Sequence, residues 1–147
     1  MEFIIRKINK SDKSEIISMM KDFYSSPAVL TNGSIEIFQT DFDACLDKNN
    51  PFLEGYIFES EKIVIGYAML AKSFSTEFGK NCIWLEDLFI KSEYRGNGII
   101  PKFLNFVKQK YPNTIFKLEV EKENTHAVHV YQKCGFKFLE YFEMQRD

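Results

Sequence analysis

Residues 94–101 read Tyr-Arg-Gly-Asn-Gly-Ile-Ile-Pro and stand between an apolar run, residues 84–90, and a segment with helical spacing. No other stretch constrains the chain as much, because a strand, a glycine turn and a helix must follow one another without spare residues. Glycine supplies left-handed dihedrals that aim successive N–H groups at one point. The helix that follows adds unpaired N–H donors and the positive end of its dipole. The expected guest is an anion held by backbone, a phosphate or a pyrophosphate.

The rest of the chain bounds what can surround this turn. With 147 residues, 45% of them hydrophobic, residues 1–147 suffice for one domain with a proper core. The formal net charge of -2 gives no basic field for nucleic acid. No apolar run reaches membrane-spanning length, so no membrane partner is expected. The first seven residues hold only three consecutive apolar positions, too few for a signal peptide. Cys45, Cys82 and Cys134 form no C-x-x-C pair, which suits a reducing cytoplasm and provides no metal site. His126 and His129 lack a third ligand.

Pattern and punctuation predict the order β-α-α-β-β-β-α-β-α-β. A strand over 2–8 precedes a helix capped by Ser11 and ending near Ser25-Ser26-Pro27. A second helix is expected from about Ser34 to Lys48. Strands follow at 53–59 and 62–72, joined at Ser60-Glu61, and at 82–90. The helix after the glycine turn stops at Pro112-Asn113, and 114–121 forms the next strand. Asn124 caps a helix through Lys133, Gly135 ends it, and 136–144 is expected as a closing strand. The fold class is α+β: a mixed, mostly antiparallel central sheet with flanking helices.

An Arg-Gly-x-Gly turn alone is a weak signal. A second pattern lies one strand later: Asn124-x-x-Ala127-x-x-x-Tyr131-x-x-x-Gly135-Phe136. Asn124, Ala127 and Tyr131 share a helix face, which therefore carries a polar anchor, a small residue and a phenol. With both motifs in this order, the chain resembles the GNAT acetyltransferase superfamily over essentially its whole length. Gly66-Tyr67-Ala68-Met69 and residues 84–90 are most similar to its diamine and polyamine N-acetyltransferase branch.

The resemblance implies acetyl-CoA as co-substrate. Its pyrophosphate would rest on Arg95, Gly96, Asn97, Gly98, Ile99, Ile100 and Pro101. Backbone around Leu88, Phe89 and Ile90 would meet the pantetheine, and Asn124 and Ala127 would flank it. Tyr131 would serve the departing thiolate as acid or hydrogen-bond donor, and Glu86 would hold the substrate amine and accept its proton. Asp87 and Glu143 are substrate-side candidates. As strand neighbours, Glu86 and Asp87 are expected on opposite faces. Cys134 is expected to face away from Tyr131, which leaves direct attack without an acyl-enzyme.

One departure stands out. Where the family turn closes with Gly or Ala, this chain has Ile100 followed by Pro101, so one N–H donor is missing. The expected reaction is acetyl transfer to a primary amine of a small molecule: a diamine, a polyamine or an amino-acid-like compound. A protein N-terminus or lysine is the alternative acceptor, and a silent acyl-CoA sensor the alternative class. A mononucleotide module is disfavoured by the missing P-loop lysine. Related enzymes often form homodimers.

Overall fold

A computed structural model describes residues 1–147. Five strands lie in the order β1-β2-β3-β4-β5: Ile4–Lys7, Leu53–Ser60, Ile63–Ser75, Lys80–Ile90 and Ile115–Leu118. The first three pairings are antiparallel and β4–β5 is parallel. Period-2 alternation along β2 separates two cores. Tyr56 and Phe58 point to one side, where Phe103 and Val107 of α3 (Ile99–Lys110) meet them. Ile57 points to the other, against Ile16, Met19 and Met20 of α1 (Lys13–Tyr24) and Phe38 and Phe42 of α2 (Ile35–Leu46). The last helix, α4 (Thr125–Lys133), follows β5 and has no fully buried residue.

Four local expectations need correction. The first cap is Asn9, whose side chain accepts from Ser11 N while Asp12 accepts from Asn9 N at 2.8 Å, so a 3-10 turn (Lys10–Asp12) precedes α1. The β2–β3 turn is centred on Glu61 and Lys62, both at positive φ as a two-residue hairpin turn requires. β5 pairs over four residues where eight were expected. The closing strand over 136–144 does not form: the segment carries no strand and pairs with nothing.

At the end of α3, one buried carboxylate collects an unusual escort. Glu54 accepts from the hydroxyls of Tyr56 and Tyr111 and pairs with Lys72 and Lys7. Burial alone would raise its carboxyl, but the hydrogen bonds from Lys72, Tyr111 and Tyr56 outweigh it and hold the group at about 2. A folded-state pKa below the unfolded value adds stability that is complete above the unfolded pKa and is lost as pH falls through the folded one. The expected contribution at neutral pH is ~3 kcal/mol, lost between about pH 4.5 and 2. Thermal melts against pH should show Glu54→Gln with a shallower acid limb than the parent. Superimposable limbs would remove this role from Glu54.

Candidate active site

β4 changes face in mid-strand. Met69 pairs with Asp87 and Leu70 with Leu85, so Glu86 is an extra residue in a β-bulge. Leu85 joins the α3 core, and Asp87 emerges on the side of α1 and α2. The bulge breaks the strand period at this pair, with Asp87 buried and Glu86 exposed. Glu86 stays exposed while lying close enough to Asp87, Asp41, Glu119 and Glu143 to feel their charge.

Asp87 is 3% exposed and accepts from Tyr24 Oη at 2.8 Å and Tyr67 Oη at 2.7 Å. Burial pushes its carboxyl up, and the two phenols offset only part of this. Asp41, on α2, is raised to about 6 by burial and then by Asp87. Burial, then Glu119 and Asp87, raises Glu86, and burial together with Glu143 raises Glu119. None of these five carboxylates forms an ion pair; the chain's ion pairs lie on Asp12, Glu15, Glu54 and Glu59. Sequence reasoning missed Asp41 and the Tyr24 clamp. Asp41 is one more polar residue between the core positions Phe38 and Phe42, and no local signal marks it.

The glycine turn has the expected geometry. Gly96 and Gly98 lie at φ 80° and 70°, with open space where a Cβ would sit, and Gly98 immediately precedes α3. The N–H groups of residues 96–100 have no backbone acceptor, while Lys102 N already donates to Gly98 O. Pro101, third in the helix, occupies a position whose N–H would have been free for an anion. Asn97 braces the turn by donating Nδ2 to Tyr94 O at 2.9 Å. Arg95 donates Nε to Ile90 O at 2.9 Å and lies over the Phe89 ring, so it ties the turn back to β4. Pro101→Ser restores a donor and should tighten acetyl-CoA roughly three- to tenfold by calorimetry. An unchanged Kd would mean that the cradle never used that position.

Beyond Leu85↔Leu118 the two parallel strands stop pairing. Residues 87–90 remain paired to β3 on one edge through Gly66, Tyr67, Ala68 and Met69, and lack a strand on the other. A notch therefore opens at the C-terminal ends of β4 and β5, where open sheets with parallel strands bind ligands. Its borders are Leu88–Ile90, the glycine turn, and α4 coming off β5. Asn124 Oδ1 caps α4 by accepting from Ala127 N at 3.3 Å. The Tyr131 ring packs on Phe136 at 6.0 Å, and its phenol is raised to about 12 by burial and then by Cys134. Cys134 thus neighbours Tyr131, contrary to expectation: three helical steps bring a residue back to within about 60°. Glu143 lies on the unpaired C-terminal segment and reaches this region beside Glu119 and within range of Glu86.

A model of the acetyltransferase (GNAT) family matches residues 16–136. The chain belongs to that family. This acetyltransferase is 27% identical over 146 residues to thialysine N-epsilon-acetyltransferase of Mus musculus, covering 92% of the chain and 84% of the relative. It is 30% identical over 81 residues to spermine/spermidine N(1)-acetyltransferase of Bacillus subtilis (strain 168), covering 51% of the chain and 53% of the relative. Its fold matches that of aminoglycoside acetyltransferase AAC(6')-Iy in complex with a CoA bisubstrate analogue, with a TM-score of 0.79 at 17% identity, over 100% of this chain and 99% of the other. The protein is an N-acetyltransferase with acetyl-CoA as co-substrate. No helix is long and apolar enough to cross a membrane.

Proposed function

We propose that this acetyltransferase, acting as a single unit over residues 1–147, acetylates a primary amine of a small molecule carrying more than one positive charge. Diamines, polyamines and basic amino-acid derivatives fit that description. The observation that carries the reading is the group of five carboxylates around the β4 bulge, Asp41, Glu86, Asp87, Glu119 and Glu143, without a cation of their own. Buried or crowded carboxylates without a partner are costly, and a ligand ammonium would relieve them. The relatives named for thialysine and for spermine and spermidine support the same substrate class.

In this reading the pyrophosphate rests on the free N–H groups of residues 96–100, and the pantetheine lies in the notch against Leu88, Phe89 and Ile90. There a backbone N–H would stabilise the oxyanion. Glu86, raised toward neutrality, takes the proton that the ammonium must lose, directly or through water. The free amine attacks the thioester carbonyl, the C–S bond breaks, and Tyr131 donates a hydrogen bond to the departing thiolate. The transfer is read as direct attack without an acyl-enzyme: Cys45 has its thiol pushed up to about 12 by burial and Cys82 is buried, which leaves Cys134 as the one thiol beside Tyr131. Three unpaired thiols suit a reducing cytoplasm.

The deciding experiment follows thiol release from acetyl-CoA with matched monoamines, diamines, polyamines and lysine-bearing peptides. Diamines and polyamines should exceed monoamines of equal length in kcat/KM. Their KM should rise as pH falls through about 6, because Asp41 then becomes protonated and no longer attracts a cation. Preference for the peptide would overturn the acceptor assignment. Thermal stabilisation by CoA without thiol release from any amine would point to a sensor.

A further inference from the structure

At the end of the sheet away from the notch, three ammonium groups gather around one carboxylate. Lys7 ends β1, Lys72 lies on β3 opposite Ile83, and Lys110 is the last residue of α3. Between them stands Glu54, near the start of β2, with a side chain only 10% exposed. Lys7 Nζ at 3.4 Å, Lys72 Nζ and Tyr111 Oη all fall on Glu54 Oε2, and Tyr56 Oη donates to Oε1 at 2.8 Å. Four donors saturate that carboxylate.

Lys110 has no carboxylate of its own. Its Nζ donates to Tyr56 Oη at 2.7 Å and lies 5.2 Å and 5.6 Å from the centres of the Tyr56 and Tyr111 rings. Burial and Glu54 keep both phenols neutral, so the cluster holds three positive charges against one negative. Each ammonium carries three N–H groups, more than Glu54 and the Tyr56 hydroxyl can accept.

We propose that Lys7, Lys72 and Lys110 form a binding site for a phosphate group, at the opposite end of α3 from the glycine turn. The surplus of two positive charges matches a phosphate monoester, which carries about −1.5 to −2 near neutrality. Lys7 and Lys110 are exposed and Lys72 is half-buried, so an oxyanion can reach all three from solvent. Their heads are already gathered, two by Glu54 and the third by Tyr56, and little ordering remains to be done on binding. Burial lowers the Lys110 amine; of its charged neighbours, Glu54 raises it while Lys7 and Lys72 lower it. An anion between the ammoniums would relieve that mutual repulsion. The negative end of the α3 dipole opposes an anion, but Lys108 and Lys110 occupy the last turn and offset it. The site shares no residue with the notch or with the carboxylates around the β4 bulge, and α3 holds it about 18 Å from the glycine turn.

Calorimetric titration with inorganic phosphate and, in parallel, with glycerol phosphate tests the site, the glycine turn being filled beforehand by one equivalent of CoA. At least one probe should bind with a Kd at or below about 1 mM against a background of matched ionic strength. The tighter of the two identifies the guest as free or esterified phosphate. Lys110→Gln keeps a donor for Tyr56 Oη and should weaken binding about tenfold, and Lys110→Arg should restore it. Both variants should keep their thermal stabilisation by CoA, as folded chains do. Amide shifts during the titration should centre on Lys7, Glu54, Lys72 and Lys110. No saturation by either probe, a Kd unmoved by Lys110→Gln, or shifts centred on residues 96–100 would each overturn the proposal. The readout is binding in the absence of any amine, so its failure would leave the acceptor assignment untouched.

Discussion

Replacing Tyr131 with Phe should lower kcat by on the order of 100-fold while leaving acetyl-CoA binding nearly unchanged. The substitution removes one oxygen and keeps the ring that packs on Phe136. The raised phenol refines the chemistry. Moving a proton from a group at about 12 to a thiolate whose acid lies near 8.5 is uphill by about 5 kcal/mol. A hydrogen bond to the thiolate, with the proton still on the phenol, therefore accounts for the effect better than completed transfer. Stopped-flow thiol release separates the outcomes. A tenfold loss or less, or a rise in KM for acetyl-CoA with kcat intact, would return Tyr131 to a packing role.

Gly66→Ala should be the most damaging single methyl in the sheet. A Cβ there would lie 2.4 Å from Phe89 O and 3.0 Å from both Ile90 Cδ1 and Phe58 Cδ2. The backbone contact cannot rotate away, so β3 and β4 must separate next to the residues assigned to the pantetheine. Overpacking of this kind costs roughly 1–3 kcal/mol. We expect a lower Tm together with weaker acetyl-CoA binding, whereas a purely structural glycine would change the Tm alone. An unaltered melt would show that the strands yield freely at this point.

The helices and the glycine turn were legible because their signals are local. Asn124 caps α4 as read, α2 starts where expected with Ser34 as its cap, and Gly98 sits in the left-handed conformation the turn demands. What escaped depends on neighbours distant in sequence. Period 2 placed Glu86 and Asp87 on opposite faces, and only the β3 register reveals the extra residue that breaks the period. The apolar residues of 136–144 read as a strand, but a strand needs an edge, and composition does not say whose. Asp41 acquires its character from Asp87 across the interface of α2 with the sheet. The resemblance implies Arg95 on the pyrophosphate, and its Nε is committed to Ile90 O.

The early parting of β4 and β5 has a consequence for how this enzyme tolerates change. If acetyl-CoA lies in that gap as a surrogate strand, its main partners are peptide groups, which no side-chain substitution can delete. Residues 88–90 could then drift in identity as long as they hold an extended course, and the co-substrate would survive divergence that reshapes the acceptor pocket. Selectivity for the amine would rest on side chains and be quick to evolve, whereas selectivity for the acyl carrier would be written into the path of the main chain.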